Sequence, residues 1–177
     1  MDENSPNFVF VNIYADKKQL ENMNGVWDFT KVFPNMRAAD LETNSLARTV
    51  HMVFMESQFA IGSQESEFAV VNYFKVSDMA NFLEFEKGTW RPFVSKAMAD
   101  NQTSVKGWSV ARVLSPRGAH VGFNAMTVDR FETFSEALAP TWDESLAFPD
   151  FAEHNKTNTR EYIGIYALVK GVHSVGN

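Results

Sequence analysis

Phe68-Ala69-Val70-Val71-Asn72-Tyr73-Phe74-Lys75-Val76 is rich in β-branched and aromatic side chains and is interrupted in its middle by one Asn. Such a run reads as a strand. The motif recurs twice, as Val11-Asn12-Ile13-Tyr14 and as Phe123-Asn124-Ala125-Met126. A tryptophan follows each Asn: Trp27 after 15 residues, Trp90 after 18 and Trp142 after 18. The first and third copies agree further. Trp27-Asp28 leads to Phe33-Pro34-Asn35, and Trp142-Asp143 leads to Phe148-Pro149-Asp150, at the same internal spacing. Self-similarity of this kind signals a repeated supersecondary unit.

Working outward, each copy predicts a βαβ unit. In the first, Phe8 to Tyr14 is a strand, Leu20, Met23 and Trp27 follow at helical spacing, and Thr49 to Met55 closes the unit. In the second, Ser77 caps a helix carrying Phe82, Phe85, Trp90, Phe93 and Ala97 on one face. Pro92 kinks or restarts that helix near Trp90, and Val105 to Leu114 is the closing strand. Ser115-Pro116-Arg117-Gly118 is a hairpin turn into the third unit. There His120 to Met126 is the strand, Asp129-Arg130-Phe131-Glu132 resembles a capping box, and Arg160 to Val169 is the last strand. The units span about 7–60, 66–116 and 117–171 of a single domain covering residues 1–177, with six main strands.

The predicted class is α+β, a ferredoxin-like sheet with helices on one face. The strands themselves are apolar on both faces. Phe68, Val70, Asn72 and Phe74 oppose Ala69, Val71 and Tyr73, where a one-sided sheet would show a polar solvent face. Closure into a barrel covers the second face. The odd third unit leaves an unpaired half-sheet, and the partner expected there is a second copy of the chain, most simply in a homodimer.

At 177 residues, 45% apolar and 14% aromatic, the chain is long enough for one well-filled core and is not of disordered composition. The net charge is −6 with no basic run, which argues against nucleic acid as a partner. There is no cysteine, so thiol nucleophiles, disulfides and thiolate metal sites are excluded and a reducing, cytoplasmic setting is favoured. The acidic, polar start Met1-Asp2-Glu3-Asn4-Ser5-Pro6 is unlike a signal peptide, and no apolar run is long enough for a transmembrane helix.

The strand runs, the tryptophans near helix ends and the two-sided apolar strands together resemble the dimeric α+β barrel superfamily. Its members include antibiotic-biosynthesis monooxygenase-like proteins, small isomerases and haem-handling enzymes. The resemblance covers roughly residues 7 to 171 and is structural. It implies a barrel closed by two chains. Haem-handling members set a His facing the barrel, and cofactor-free oxygenases set polar side chains among rings there. No catalytic residue carries over by motif.

Candidate site residues follow from the residues alone. Asn is poorly suited to strand interiors, so Asn12, Asn72 and Asn124 either face a ligand inside the barrel or pin a neighbouring backbone. His120, Gly122, Asn124 and Met126 share one face of a strand, and Gly122 leaves room beside them. That makes His120 the candidate base, proton shuttle or axial ligand, against the reading of an exposed histidine after a turn. Trp108, in a strand across the turn, is the ring expected to line a pocket with Asn72, Gly122 and Asn124. His51 reads as half-buried, whereas His154 in a polar loop and His173 read as incidental. No metal motif, phosphate loop, nucleophile elbow or pair of catalytic carboxylates is present, and no cofactor is expected. Two functions remain open: a barrel binding a small hydrophobic or aromatic molecule, or a cofactor-independent monooxygenase or isomerase acting on a small aromatic substrate, with a haem-binding relative as a variant.

Overall fold

A computed structural model describes residues 53–117 and 121–168, together with Val9, Val11, Ile13, Tyr14, Asp16 and Lys18. The chain divides into two units, Met1–Met52 and Val53–Asn177, and the second holds nearly all of the described residues. Of the strand expected over residues 8–14, Val9, Val11, Ile13 and Tyr14 are described, and none of them is in a strand. Asn12, Trp27, His51, His120 and His173 lie outside the described residues.

The second unit is an α+β structure. Its strands are β1 (Phe54–Gly62), β2 (Phe68–Val76), β3 (Gly107–Ser115), β4 (Ala125–Phe131) and β5 (Asn158–Ala167). They form one antiparallel sheet in the order β1-β3-β4-β2-β5. Between β2 and β3 run α1 (Met79–Phe85), a π-helical turn (Glu86–Trp90) and α2 (Arg91–Ala99). Between β4 and β5 run α3 (Phe134–Leu138) and the single turn α4 (Ala152–Asn155).

Several boundaries move from the expected places, each for a local reason. Of the strand expected over Thr49–Met55, residues 49–52 lie outside the described residues and Val53 is not in a strand; β1 runs on to Gly62, because its partner β3 pairs Gly62 with Gly107 at the far end. The helix cap is Asp78, not Ser77: its carboxylate accepts from the Asn81 N–H at 3.0 Å. Asp129 and Arg130 belong to β4, and the capping box is one turn later. There Thr133 Oγ1 accepts from Glu136 N and Glu136 Oε2 accepts from Thr133 N. β4 begins at Ala125, so Val121 to Asn124 are not in a strand.

The interruption expected from Pro92 is a π turn. Proline has no N–H to give to the preceding turn, and the Arg91 N–H reaches back to Glu86 O in the i→i−5 pattern. The wider turn lets Phe82, Glu86, Val94 and Ala97 all point inward and be buried.

One face of the sheet packs on these helices. Val70, Phe74 and Val76 of β2, Trp108 and Val110 of β3, and Ala125 and Phe131 of β4 form the core with Phe82, Val94 and Ala137. Trp90 and Trp142 lie at its edge with ring centroids 5.9 Å apart, and Phe93, Phe148 and Phe151 complete that aromatic layer. Two of the three Trp residues of the sequence repeat therefore meet each other, although Trp90 is in the π turn and Trp142 pairs with Thr103 in an isolated bridge.

Candidate functional site

The opposite face of the sheet carries a cluster of rings. Tyr73 of β2 pairs in register with Tyr162 of β5, and their rings stack with centroids 4.1 Å apart and planes 10° from parallel. Phe123 meets the Tyr73 ring edge-on at 4.8 Å. The Tyr73 and Tyr166 hydroxyl oxygens lie 3.2 Å apart. Gly164 makes this possible: a Cβ there would sit 2.5–2.7 Å from the outer ring atoms and hydroxyl of Tyr166, which lie over it. Burial, then the hydroxyls of Tyr166 and Tyr162, hold the Tyr73 phenol well above the usual tyrosine range. Burial pushes Tyr162 up to about 12. Both phenols are neutral at physiological pH, so each can donate as well as accept a hydrogen bond.

A second group of polar side chains lies on the helix side. Asn72, buried, donates from Nδ2 to Thr127 Oγ1 at 3.1 Å and to Asp129 Oδ2 at 2.9 Å. Asp129 as a residue is half-buried, but removal of its carboxyl from water pushes the pKa up to about 6, against the opposing pull of the Asn72 hydrogen bond. On the helices above, Glu86 Oε1 lies 3.4 Å from His154 Nε2. The imidazole is stacked on Phe85 at 4.1 Å and on Phe82 at 5.2 Å, with Phe151 at its edge. Burial raises the Glu86 pKa, and His154 and Arg160 oppose that rise. Glu86 Oε2 and His154 Nδ1 are buried with no hydrogen-bond partner among the described residues.

Arg160 reaches this side through a bulge. The β2–β5 register shifts between Tyr73 and Phe74, so that Arg160 faces Phe74 and its guanidinium lies 5.4 Å from that ring's centroid.

The residues singled out from the sequence are dispersed. Trp108 is 1% exposed, in the core beside Phe59 at 5.6 Å. Asn72 shares its face of the sheet, two strands away across β4. Asn124 pins the neighbouring backbone: Oδ1 accepts from Val76 N and Nδ2 donates to Val76 O, both at 2.7 Å. Gly122 is exposed, with nothing within 4 Å of where a Cβ would stand. Asn72 and Asn124, alike in the sequence, thus do different work.

His154 had read as incidental and is buried instead. Its flanking Glu153, Asn155 and Lys156 suggest an exposed loop. The missed signal was Glu86, an acid placed four residues from both Phe82 and Trp90 on an otherwise apolar helix face. Among the described residues no set of His, Asp and Glu side chains converges to hold a metal ion, and no helix is long and apolar enough to cross a membrane. No family model, curated protein or solved structure matches this chain.

Proposed function

We propose that the protein binds a small hydrophobic or aromatic molecule against the Tyr73–Tyr162–Tyr166 face of a ferredoxin-like sheet that a second copy of the chain closes into a barrel. The order of elements, β2-helices-β3-β4-helices-β5 with strands arranged β5-β2-β4-β3, supports the ferredoxin-like reading, and β1 is then an added edge strand. The observation that carries the ligand reading is the stack of Tyr162 on Tyr73 on the face turned away from the helices. It is a patch of rings carrying phenolic hydroxyls, the lining that a small-molecule site uses once a second copy encloses it.

Support for a second copy comes from the β5 edge. Among the described residues β5 pairs only with β2, and it exposes Tyr162, Ile163 and Ile165, with Leu168 just beyond. Native mass spectrometry of freshly purified protein tests both parts at once. The expected spectrum shows a dimer of the 20.0 kDa chain with retained small-molecule mass that Tyr73→Ala abolishes. A bare monomer at micromolar concentration overturns the proposal.

The alternative of a cofactor-independent monooxygenase or isomerase is favoured by one observation, the enclosed Glu86–His154 pair, because such groups can hold and move a proton. Loss of turnover in His154→Gln with ligand retention intact would select it. The haem-binding variant rests on His120, which lies outside the described residues.

A further inference from the structure

On the helix side of the sheet, at the β1 edge, a cleft of about 440 Å³ is lined by Gln58 and Phe59 of β1, Leu83 and Glu84 of α1, Lys87 of the π turn and Arg91 at the start of α2. Its size is that of a small-molecule site. Phe59 and Leu83 both pack on the core, and Phe59 rests on the enclosed Trp108 ring, so the apolar floor is held in place from beneath.

The charges on its walls are unevenly matched. On the strand side Gln58 Nε2 donates to Glu56 Oε2 at 2.9 Å, and Arg112 meets the same oxygen at 2.7 Å. On the helix side Lys87 and Arg91 stand four residues apart, and neither forms an ion pair among the described residues. Among the described residues Glu84 is the one carboxylate in the cleft wall, so there two cations face one anion. Two cations with no ion pair among the described residues, above a floor of Phe59 and Leu83, suit a single negative charge on a flat apolar body, and Glu84 disfavours a second negative charge on the ligand. The π turn adds an independent mark, since turns of this kind recur at functional sites, and it carries Lys87 itself.

We infer that this cleft binds a small aromatic monocarboxylate, its ring over Phe59 and Leu83 and its carboxylate between Lys87 and Arg91. The site lies on the opposite side of the sheet from the tyrosine cluster and stands whether or not that cluster binds anything.

The test is calorimetric titration of the full chain at pH 7 and low salt with 2-naphthoate, and with 2-naphthalenemethanol as its uncharged counterpart. Expected is saturable binding of one naphthoate per chain, with the alcohol about tenfold weaker or worse. The double variant Lys87→Gln/Arg91→Gln should lose about tenfold for naphthoate and little for the alcohol, and wild-type binding should weaken as salt rises. Leu83→Asp, which sets a charge into the floor, should abolish binding of both. Lys96→Gln, at an exposed lysine of α2 that does not line the cleft, should leave naphthoate binding unchanged, which separates a site from the general charge of the surface. No saturable binding, equal affinity for the alcohol, full affinity in the double variant, or an equal loss in Lys96→Gln would each overturn the assignment.

Discussion

His154 Nε2 lies 3.4 Å from Glu86 Oε1, and the two side chains are only 3% and 5% exposed. They come from α4 and from the π turn, so this pair ties the segment before β5 to the helices after β2. Around it are Phe82, Phe85 and Phe151, which shut water out. An acid and a base enclosed together stabilise the fold only as a pair, since each alone would be an uncompensated polar group in an apolar box.

His154→Phe should therefore destabilise the protein by about 3 kcal/mol at pH 7, by stranding Glu86. The loss should shrink on acidification. Burial raises the Glu86 pKa, so its penalty is absent below the ordinary carboxylate range and grows as pH rises through the raised value. The double variant Glu86→Leu/His154→Phe should recover most of the stability. Urea unfolding at pH 4.5 and pH 7 reads both effects, and a double variant no better than the single would refute the account.

Asp129 should act in the same direction. Its pKa, pushed up to about 6, means the folded state holds the proton more tightly than the unfolded chain, so stability falls as pH rises from about 4 towards 6. Asp129→Asn keeps an oxygen for Asn72 Nδ2 and removes the charge. It should unfold about 1–2 kcal/mol later than wild type at pH 7 and match it near pH 4. A difference that is independent of pH would count against this.

Asn124→Ala should cost about 2 kcal/mol, because it leaves both Val76 N and Val76 O without their side-chain partner. Thermal melts should show the loss while small-molecule retention, read by native mass spectrometry, stays intact. Lost retention in a folded variant would place Asn124 in the site after all.

Gly164→Ala should move the Tyr166 ring, since the new methyl would occupy the space of its outer atoms. The shift separates the Tyr166 hydroxyl from Tyr73, one of the contacts that raises the Tyr73 pKa. In a spectrophotometric titration Tyr162, pushed up to about 12 by burial and in part by Tyr166, should ionise at a lower pH than in wild type. Because folded-state phenols with raised pKa values favour the fold up to about pH 10 and less above it, the variant should also lose less stability on going to alkaline pH. An unchanged titration curve would show that Tyr166 is not held by Gly164.

The amino-acid sequence by itself determined the second strand and the interrupted helix after it. Residues 68–76 are apolar on both faces because the helices bury one side of β2 and the tyrosine cluster crowds the other, and such a run is legible without coordinates. Pro92 marked the interruption because a missing N–H is a local property. The link from β3 to β4 was not local: Ser115, expected in a turn, is the last residue of β3, and β4 starts only at Ala125. Asn124 resembled a strand interior, yet its side chain closes a clasp on Val76, and the ladder begins one residue later. The buried polar pair lay still further from reach. His154 sits among Glu153, Asn155 and Lys156, whose polarity describes the outer side of a short turn, and only the return of the chain under Phe82 and Phe85 puts its ring inside. Periodicity reports which side of an element is buried. Which buried groups meet is set by distant packing, and that was decided by the tertiary structure alone.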